Sequence, residues 1–351
     1  MADPAYAAVT LKQLGFRARL ASNDLRALAW TKWFLAPYFA RSEEPAQWQI
    51  VFRRDDALFD ELACAQQELP RRAVSGWVLH APETRPSWEC QLGDLRLLND
   101  GEFGTVCVAW PEKRQVLIVT QFGNVRAPNA FMRAFRELAS MEYQRQGAII
   151  LHTAALSRAG QAMLAMAPKH GGKTTFLIRE LLNGAEFITN DRVTLVRRPD
   201  GLWAVGMPTI VSLRQGTLDL FPAVQSELDR RRVHFWRRPH RGPFVDQRSI
   251  APTQLCSLTG ALPIQEARIS RILCLIEGTG QPRKLDESEA MALLEESVFD
   301  FTDTQRHFFA SLHPVDKETF CRNSRALCRE LYQQAECLEY PREGAPSGRE
   351  R

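Results

Sequence analysis

The sequence predicts an α/β protein in which a mixed sheet flanked by helices follows an N-terminal α+β accessory region. Three observations predict this class. From about residue 126 onward, apolar runs of strand length alternate with amphipathic helical segments. A glycine-containing loop, Ala167–Thr174, joins one such run to a helix. Before residue 126, the valine- and isoleucine-rich runs Gly104–Trp110 and Gln115–Thr120 flank a short turn and predict a hairpin.

The composition is that of a globular protein with a self-supporting core. Of the 351 residues, 45% are hydrophobic and 25% are charged, which are ordinary values for such proteins. The formal net charge of +4 comes from 45 basic and 41 acidic residues, and this balance argues against a dedicated nucleic-acid binder. No stretch approaches the roughly 20 apolar residues that span a bilayer, so no membrane partner is expected.

The cysteines and the N-terminus both favour a cytoplasmic protein. None of the eight cysteines lies two or three residues from another, so the spacing of paired metal ligands is absent. We interpret them as reduced and mostly buried thiols. The first residues lack the basic region and apolar run of a secretory signal.

Residues 1–125 are predicted to form the accessory region. Phe16–Leu20 has the pattern of a strand, and Ser22 or Asn23 is placed to cap the helix that follows. Pro37 is expected to end that helix. No catalytic constellation is visible in this region, so a small β-rich accessory domain is the simpler interpretation.

Residues 126–340 are predicted to form the second domain. Pro128 begins an amphipathic helix that runs to about Gln146. The segments expected to form strands are Ala148–His152, Ala154–Ser157, Ala162–Met166, Glu186–Thr189, Thr194–Arg197, Leu202–Val205 and Arg271–Ile276. Residues 286–340 are expected to be helical, and 341–351 a disordered tail.

Residues 222–250 are expected to be irregular and basic. The run Arg230–Arg241 is the most basic in the chain. It could clamp phosphates or dock an acidic acceptor, because the arginine fork bonds phosphate through two donors. Its aromatic residues would also permit stacking on a base. A solvated surface loop is the alternative, and the sequence leaves these interpretations open.

The segment Ala167-Pro-Lys-His-Gly-Gly-Lys-Thr174 is close to the Walker A phosphate-binding loop G-x-x-x-x-G-K-[ST]. Gly171 and Gly172 would let backbone N–H groups turn toward an anionic phosphate. The helix that starts near Lys173 would direct its positive end to the same place. Lys173 can reach the β- and γ-phosphates of ATP, and the Thr174 hydroxyl can ligate Mg²⁺.

Ala167 stands where the loop pattern has its first glycine. The apolar strand before the loop and the amphipathic helix after it still favour phosphate binding. The alternative is an ordinary turn in which Lys173 is only a helix-start lysine. The candidate ATP contacts are Ala167, Pro168, Lys169, His170, Gly171, Gly172, Lys173, Thr174 and Thr175.

Asn190 and Asp191 follow the predicted strand Glu186–Thr189. A carboxylate at the carboxyl end of such a strand, beside a phosphate loop, is well placed to hold Mg²⁺. Thr174 and Asp191 are therefore the candidate metal ligands. The alternative is that Asp191 only caps a turn.

Four segments in this order resemble a known family. They are LeuHisThrAlaAlaLeu, AlaMetLeuAlaMetAla, GlyGlyLysThrThr and GlyAlaGluPheIleThrAsnAspArgVal. Together they resemble the C-terminal P-loop domain of HPr kinase/phosphorylase and its bacterial relatives, whose fold is related to phosphoenolpyruvate carboxykinase. The resemblance covers about residues 145–215 well and the rest weakly, as in a divergent member.

The resemblance implies an ATP- and Mg²⁺-dependent kinase. Lys173 and Thr174 match the phosphate-loop lysine and the metal-binding hydroxyl residue. His152 matches a histidine near the active centre, and Asn190 and Asp191 fall on paired aspartates, the first of which looks like the general base. Relatives of this type often assemble as hexamers, so a homo-oligomer is implied.

The chain departs from the family at two points. Asn190 replaces the first aspartate, and a neutral amide cannot take a proton although it can orient a hydroxyl. The stretch Trp203-Ala-Val-Gly-Met-Pro lacks the carboxylate that the name-giving enzymes carry in a Glu-x-Arg-Gly-type segment. The candidate catalytic residues are Lys173, Asp191, Asn190 and His152.

The sequence is compatible with three functions. The first is a kinase that phosphorylates a hydroxyl of a protein, a peptide or a small molecule. The second is a nucleotide-binding accessory or sensor protein without phosphotransfer, which Ala167, Asn190 and the missing carboxylate favour. The third is an ATPase coupled to a partner, which would hydrolyse ATP without leaving a phosphorylated product.

Overall fold

The computed structural model describes residues 6–74, 87–168, 171–231, 247–303, 307–312 and 314–342. The chain divides into two compact units. The first contains Met1–Gly147 and Asp300–Cys321, and the second contains Ala148–Phe299 and Arg322–Arg351. Each unit is built on a large mixed sheet flanked by helices, as the α/β class predicts.

Up to the first unit boundary, the described residues form a first series of strands and helices. In order they are β1 (Ala7–Gln13), β2 (Phe16–Ser22), α1 (Leu25–Leu35), β3 (Ala40–Arg41), β4 (Trp48–Arg54), α2 (Asp56–Glu68), β5 (Arg71–Val74), β6 (Ser87–Leu92), β7 (Leu95–Asp100), β8 (Thr105–Trp110), β9 (Gln115–Thr120) and α3 (Pro128–Arg145). The predicted strand at Phe16, the predicted hairpin β8–β9 and the helix beginning at Pro128 are all present.

The rest of the chain has a second series of elements. They are β10 (Ile149–His152), β11 (Ala154–Arg158), β12 (Gln161–Met166), α4 (Lys173–Leu182), β13 (Glu186–Thr189), β14 (Arg192–Arg198), β15 (Gly201–Met207), β16 (Val211–Arg214), α5 (Gln215–Leu218), α6 (Pro222–Arg230), β17 (Gln247–Ile250), α7 (Pro252–Thr259), β18 (Glu266–Glu277), β19 (Arg283–Lys284), α8 (Glu287–Ser297), α9 (Phe308–Leu312), α10 (Lys317–Gln334) and β20 (Glu336–Arg342). Within the described ranges, no helix combines the length and the apolar character needed to cross a membrane.

The sheet of the first unit has the strand order β3-β1-β2-β4-β9-β8-β7-β6-β5. Its middle strands β2, β4 and β9 are parallel, and the remaining pairs are antiparallel. Helix α3 packs through phenylalanines: Phe135 lies edge-on to Phe16 and Phe39, with ring centroids 5.3 and 4.7 Å apart. Phe131 stacks on Phe52 at 5.3 Å. These rings, all nearly inaccessible, fix the helix across the parallel strands.

Helix α1 begins one residue later than the predicted caps allow. Asp24 is its N-cap and accepts hydrogen bonds from two backbone N–H groups of the first turn. Ser22 cannot be the cap because its hydroxyl accepts from the backbone N–H of Asp24. Asn23 is engaged with both backbone groups of Arg54 on the neighbouring strand. The prediction of Ser22 or Asn23 was therefore wrong, while the helix ends before Pro37 as expected.

The sheet of the second unit has the strand order β10-β14-β15-β18-β12-β11-β13. Residues 268–274 of β18 pair in parallel with β12. In addition, residues 266–268 pair with β15 and residues 271–277 pair in parallel with β20. Because β12, β18 and β20 are parallel, their carboxyl ends lie at the same edge of the sheet. Strand β13 runs in the same direction as β12, with β11 antiparallel between them.

Three predictions in this unit need correction. Part of residues 222–250 is regular, since Pro222 begins the helix α6 and 247–250 form β17; residues 232–246, which hold most of the basic run, lie outside the described residues. Residues 286–340 are helical only in part, because the chain from Glu336 forms β20. That strand includes Pro341 and Arg342 of the predicted tail, and residues 343–351 lie outside the described range.

Candidate functional site

The site is organised by a bent antiparallel ribbon. One residue separates β10 from β11, and two residues separate β13 from β14. Strand β10 pairs with β14 through His152 and Arg192, and β11 pairs with β13 through Ala155 and Thr189. The segment β10–β11 and the segment β13–β14 therefore bend at the same place. This place is here called the ribbon corner (residues 152–153 and 190–191). There, Nε2 of His152 lies 3.0 Å from Oδ1 of Asp191.

The loop between β12 and α4 is closely packed around its glycines. The N–H of Gly171 donates to the carbonyl oxygen of Pro168 at 2.8 Å. A Cβ atom at Gly171 would lie 2.7 Å from the Cβ of Ala167 and 2.9 Å from the Pro168 oxygen. Gly172 has a φ of +84° and is the N-cap of α4. Both positions therefore require glycine. The predicted contacts Lys169 and His170 lie outside the described residues.

Lys173 connects this loop to the ribbon corner. Its Nζ donates to the carbonyl oxygen of Ala167 at 2.9 Å and lies 3.2 Å from Nε2 of His152. Burial lowers the pKa of the Lys173 ammonium from its ordinary value, while the charge of Asp191 opposes that shift. Three of the predicted catalytic residues thus converge: Lys173, His152 and Asp191.

Asp191 is held as a carboxylate. Burial alone would raise the pKa of its carboxyl, but the hydrogen bond and charge of His152, and the charges of Arg192 and Lys173, outweigh burial. The pKa of Asp191 therefore lies below its ordinary value. An ionised oxygen donor suits a hard divalent cation, whereas a lowered pKa makes Asp191 a weak proton acceptor.

His152 occupies the centre of this group. Its Nε2 is the atom near both Asp191 and Lys173, and one ring nitrogen cannot donate to the first and accept from the second at the same time. The ring lies 5.5 Å from that of Phe299 at a tilt of 37°. With its side chain 38% exposed, His152 can reach a ligand as well as its protein neighbours.

Asn190, the fourth predicted catalytic residue, is engaged elsewhere. Its Oδ1 accepts from the hydroxyl of Thr209 at 2.8 Å, and its Nδ2 donates to the carbonyl oxygen of Ile210 at 3.3 Å. The side chain is also almost buried, with 9% exposure. Both ends of the amide therefore serve the protein's own structure.

Thr174 and Thr175 lie in the first turn of α4 and are partly buried. The hydroxyl of Thr175 lies 3.1 Å from that of Thr217 in α5, and either can donate. This contact joins the start of α4 to the segment that follows β16. Thr174 forms no hydrogen bond through its hydroxyl to the described residues, which leaves that oxygen available to a ligand.

The donor set fits Mg²⁺ held jointly with a nucleotide. Among the described residues, no group of three or more His, Cys, Asp and Glu side chains could hold a metal. Mg²⁺ usually takes one or two protein oxygens and completes its shell with phosphate oxygens and water. The carboxylate of Asp191 and the hydroxyl of Thr174 are oxygen donors of this kind, so the predicted metal ligands suit a nucleotide-borne cation.

The sequence analysis did not identify four residues that contact the site, namely Arg192, Phe299, Thr209 and Thr217. Arg192 is 1% exposed and its guanidinium lies 5.1 Å from the ring of Phe299. Thr209 and Thr217 bond to the site from positions 19 and 42 residues away in the chain. Only Arg192 had a local signal, since it directly follows Asp191.

No protein-family model matches this chain, and no curated protein matches it. Among solved structures, the chain is similar to the HPr(Ser) kinase/phosphatase from Coxiella burnetii. That similarity has a TM-score of 0.23 and 12% sequence identity, and it covers 40% of this chain and 66% of the other. A similarity of this size is weak and shows no function for this chain.

Proposed function

We propose that this chain is an ATP- and Mg²⁺-dependent kinase with an HPr-kinase-like P-loop fold in its second unit. It transfers the γ-phosphate to a hydroxyl, which belongs to a serine or threonine of a protein or peptide, or to a small molecule. One observation carries the proposal. At the head of the helix that follows the glycine loop, Lys173 contacts Nε2 of His152, and the same nitrogen contacts the carboxylate of Asp191.

The loop and Lys173 would bind the phosphates. Backbone N–H groups of a glycine loop at a helix N-terminus form a site for anions. The Lys173 ammonium can leave the carbonyl of Ala167 and bond to phosphate oxygens, where a charged hydrogen bond is stronger. Mg²⁺ bound by Thr174 and Asp191 would neutralise further charge on the transferred phosphate.

The acceptor hydroxyl loses its proton during transfer, and a nearby group must accept that proton. The neutral amide of Asn190 cannot take it, and Asp191 is a weak base because its pKa is lowered. His152, whose side chain is 38% exposed and whose Nε2 lies beside Asp191 and Lys173, is the residue best placed to accept it. Phosphoryl transfer passes through a loose transition state, so positioning and charge neutralisation matter more than a strong base.

The test is transfer of labelled γ-phosphate by the full chain, with Lys173→Ala as the variant. Serine- and threonine-containing proteins and peptides and small alcohols serve as acceptors, and ATP turnover is recorded in parallel. We expect Lys173→Ala to lower the rate by about a hundredfold or more, as for loss of one preorganised charge partner. Lys113→Ala, at an exposed lysine between β8 and β9, is the control. Wild type and Lys173→Ala equally inert with every acceptor would contradict the kinase proposal.

A nucleotide-binding accessory protein without phosphotransfer is the second candidate. It is favoured by Asn190, because the residue at the position of the family's general base is tied to Thr209 and Ile210. ATP binding that Lys173→Ala abolishes, with no transfer even in the presence of the native partner, would support it. Partner-stimulated hydrolysis without a phosphorylated product would instead indicate an ATPase.

A further inference from the structure

Three side-chain hydrogen bonds join residues 207–210, at the end of β15 and just after it, to Thr189 of β13 and to Asn190 of the ribbon corner. Thr189 donates from its hydroxyl to the carbonyl oxygen of Met207 at 2.9 Å. Thr209 donates to Oδ1 of Asn190 at 2.8 Å, and Nδ2 of Asn190 donates to the carbonyl oxygen of Ile210 at 3.3 Å. Thr189, Asn190 and Thr209 are at most 9% exposed, so water does not readily replace these bonds.

The orientation of the Asn190 amide is determined by its neighbours. The carbonyl oxygen of Ile210 can only accept a hydrogen bond, so the NH₂ end of the amide must face it. The oxygen end then faces Thr209, whose hydroxyl supplies the donor. The position therefore requires a side chain that donates at one end and accepts at the other, and asparagine meets that requirement.

Asp191 lies between two anchored residues. On one side is Asn190 with its two hydrogen bonds. On the other side is Arg192, whose backbone is paired with Met207 in the β14–β15 ladder and with His152 in the β10–β14 ladder. The backbone of Asp191 is thereby fixed from both directions, and its carboxylate is held against Nε2 of His152.

We propose that Asn190 and Thr209 are positioning residues, which hold the backbone of Asp191 where its carboxylate reaches the bound cation and His152. This inference rests on the proposed function, in which Asp191 is a ligand of the nucleotide-borne Mg²⁺. In this interpretation, the site requires asparagine at position 190, because the side chain must donate to Ile210 and accept from Thr209. An aspartate there would put a carboxylate oxygen against the Ile210 carbonyl oxygen, with no donor between them.

The experiment compares four variants of the full chain. Asn190→Asp and Thr209→Val each remove part of the fastening, Thr209→Ser keeps the hydroxyl, and the double variant Asn190→Ala/Thr209→Val removes both sides. The matched control is Thr194→Val, because the buried hydroxyl of Thr194 has no hydrogen-bond partner among the described residues. The readouts are the Mg²⁺ concentration that half-saturates binding of a fluorescent ATP analogue, the turnover rate and the melting temperature.

We expect Asn190→Asp and Thr209→Val each to raise the half-saturating Mg²⁺ concentration by about tenfold, the size expected when a buried hydrogen-bonded group loses its partner. Thr209→Ser should restore most of the wild-type value, and Thr194→Val should leave it unchanged. The double variant should differ little from the single ones, because both substitutions break one connected set of bonds.

Two results would overturn the inference. One is a higher turnover rate in Asn190→Asp, which would mean that position 190 is an unused base site. The other is a lower melting temperature in the variants with an unchanged Mg²⁺ requirement, which would mean a purely structural role. Failure of the proposed function is separate, because it appears as the absence of γ-phosphate transfer in wild type as in Lys173→Ala, whereas the Mg²⁺ requirement is read from nucleotide binding.

Discussion

Gly171 lies in the loop with no space for a side chain. Its Cβ position is within 3 Å of both the Ala167 Cβ and the Pro168 carbonyl oxygen. The first contact exists because Ala167 replaces the glycine of the usual pattern. We expect Gly171→Ala to displace the loop, to weaken ATP binding by at least about tenfold, and to cost about 1–3 kcal/mol of stability as an overpacked position does.

Titration with ATP and urea unfolding check this prediction. Gly216→Ala is the matched control, because a Cβ at Gly216 would meet nothing within 4 Å. The double variant Ala167→Gly/Gly171→Ala should recover part of the lost affinity, since it removes one of the two close contacts. Unchanged ATP affinity in Gly171→Ala would mean that the loop does not surround the phosphates.

Asp24 combines two roles at the start of α1. It caps the helix, and its Oδ2 lies 2.5 Å from Nε of Arg54, with both side chains largely covered. Burial alone would raise the pKa of Asp24, but the hydrogen bond and charge of Arg54 and the two capping N–H groups outweigh it, so the pKa is lowered. Asp24→Asn keeps a good cap and removes only the charge.

A carboxyl whose pKa is lowered by folding stabilises the folded state above its unfolded pKa, and that stabilisation is lost as the pH falls through the folded pKa. We therefore expect Asp24→Asn to be less stable than wild type by about 1–2 kcal/mol at pH 7. The difference should shrink as the pH falls below about 3.9, the ordinary value for Asp. Urea unfolding of both proteins at several pH values measures it; a difference independent of pH would contradict the role of the charge.

At the scale of single elements, the sequence predicted what depends on neighbouring residues. Two runs rich in valine and isoleucine, separated by the turn at Pro111–Arg114, located β8 and β9, and Pro128 marked the start of α3. The prediction for the end of the chain was wrong, because the charged residues and Pro341 in β20 are not typical of a strand. That strand is stabilised by its parallel pairing with β18, whose partner residues lie 65 positions earlier in the chain.

In the candidate site, too, the sequence predicted the features that depend on neighbouring residues and missed those that depend on distant contacts. Lys173, Thr174 and Asp191 follow from a local motif and a strand end, and the structure places Lys173 and Asp191 at the same His152 nitrogen. The binding of Asn190 to Thr209 was not predictable, because it depends on how the chain returns after the β14–β15 hairpin. A polar residue beside a catalytic candidate therefore looked catalytic in the sequence.

The last turn of α10 is joined to the sheet by one side chain. Gln334 accepts from the backbone N–H of Leu202 at 2.6 Å, and its Nε2 donates to the carbonyl oxygens of Leu202 and Ile269 at 3.0 and 2.9 Å. We expect Gln334→Ala to destabilise the protein by about 1–3 kcal/mol, because these backbone groups lose their partner. Gln333→Ala, at an exposed neighbour, should change the free energy of unfolding by less than about 0.5 kcal/mol.

Urea unfolding of the two glutamine variants separates the loss of this tie from a general effect on the helix. Both substitutions replace the same residue type at the end of α10, so helix propensity contributes equally to each. Equal losses of stability in the two variants would mean that the hydrogen bonds of Gln334 to Leu202 and Ile269 do not stabilise the protein.

At the scale of the whole molecule, the two units are not consecutive in the chain. The first unit takes up Asp300–Cys321 after the chain has passed through most of the second. The sequence placed the boundary at residue 125, where the helical pattern of α3 begins, whereas α3 packs within the first unit. Local patterns locate helices, but the unit to which a helix belongs depends on contacts distant in the chain.

The returning segment supplies core residues to the first unit. Phe308 of α9 is fully buried, lies edge-on to Phe309 at 5.3 Å and lies 6.0 Å from the guanidinium of Arg96. The same Arg96 donates to the carbonyl oxygen of Ser311 at 3.2 Å. A segment from the late part of the chain therefore helps to complete a core formed mainly by the first 147 residues.

We expect Phe308→Ala to destabilise the first unit by about 3–5 kcal/mol, the usual cost of removing a buried aromatic ring. Phe122→Ala, at a phenylalanine of the same unit that is 63% exposed, is the control and should change stability little. Hydrogen exchange of the full chain locates the effect: amides of β7, β8 and α3 should exchange faster in Phe308→Ala. If only amides of the second unit were affected, residues 300–321 would not stabilise the first unit. Because α9 contributes core residues to the first unit, a variant truncated after Gly147 lacks them. We expect this variant to unfold at a lower urea concentration than the first unit of the full chain.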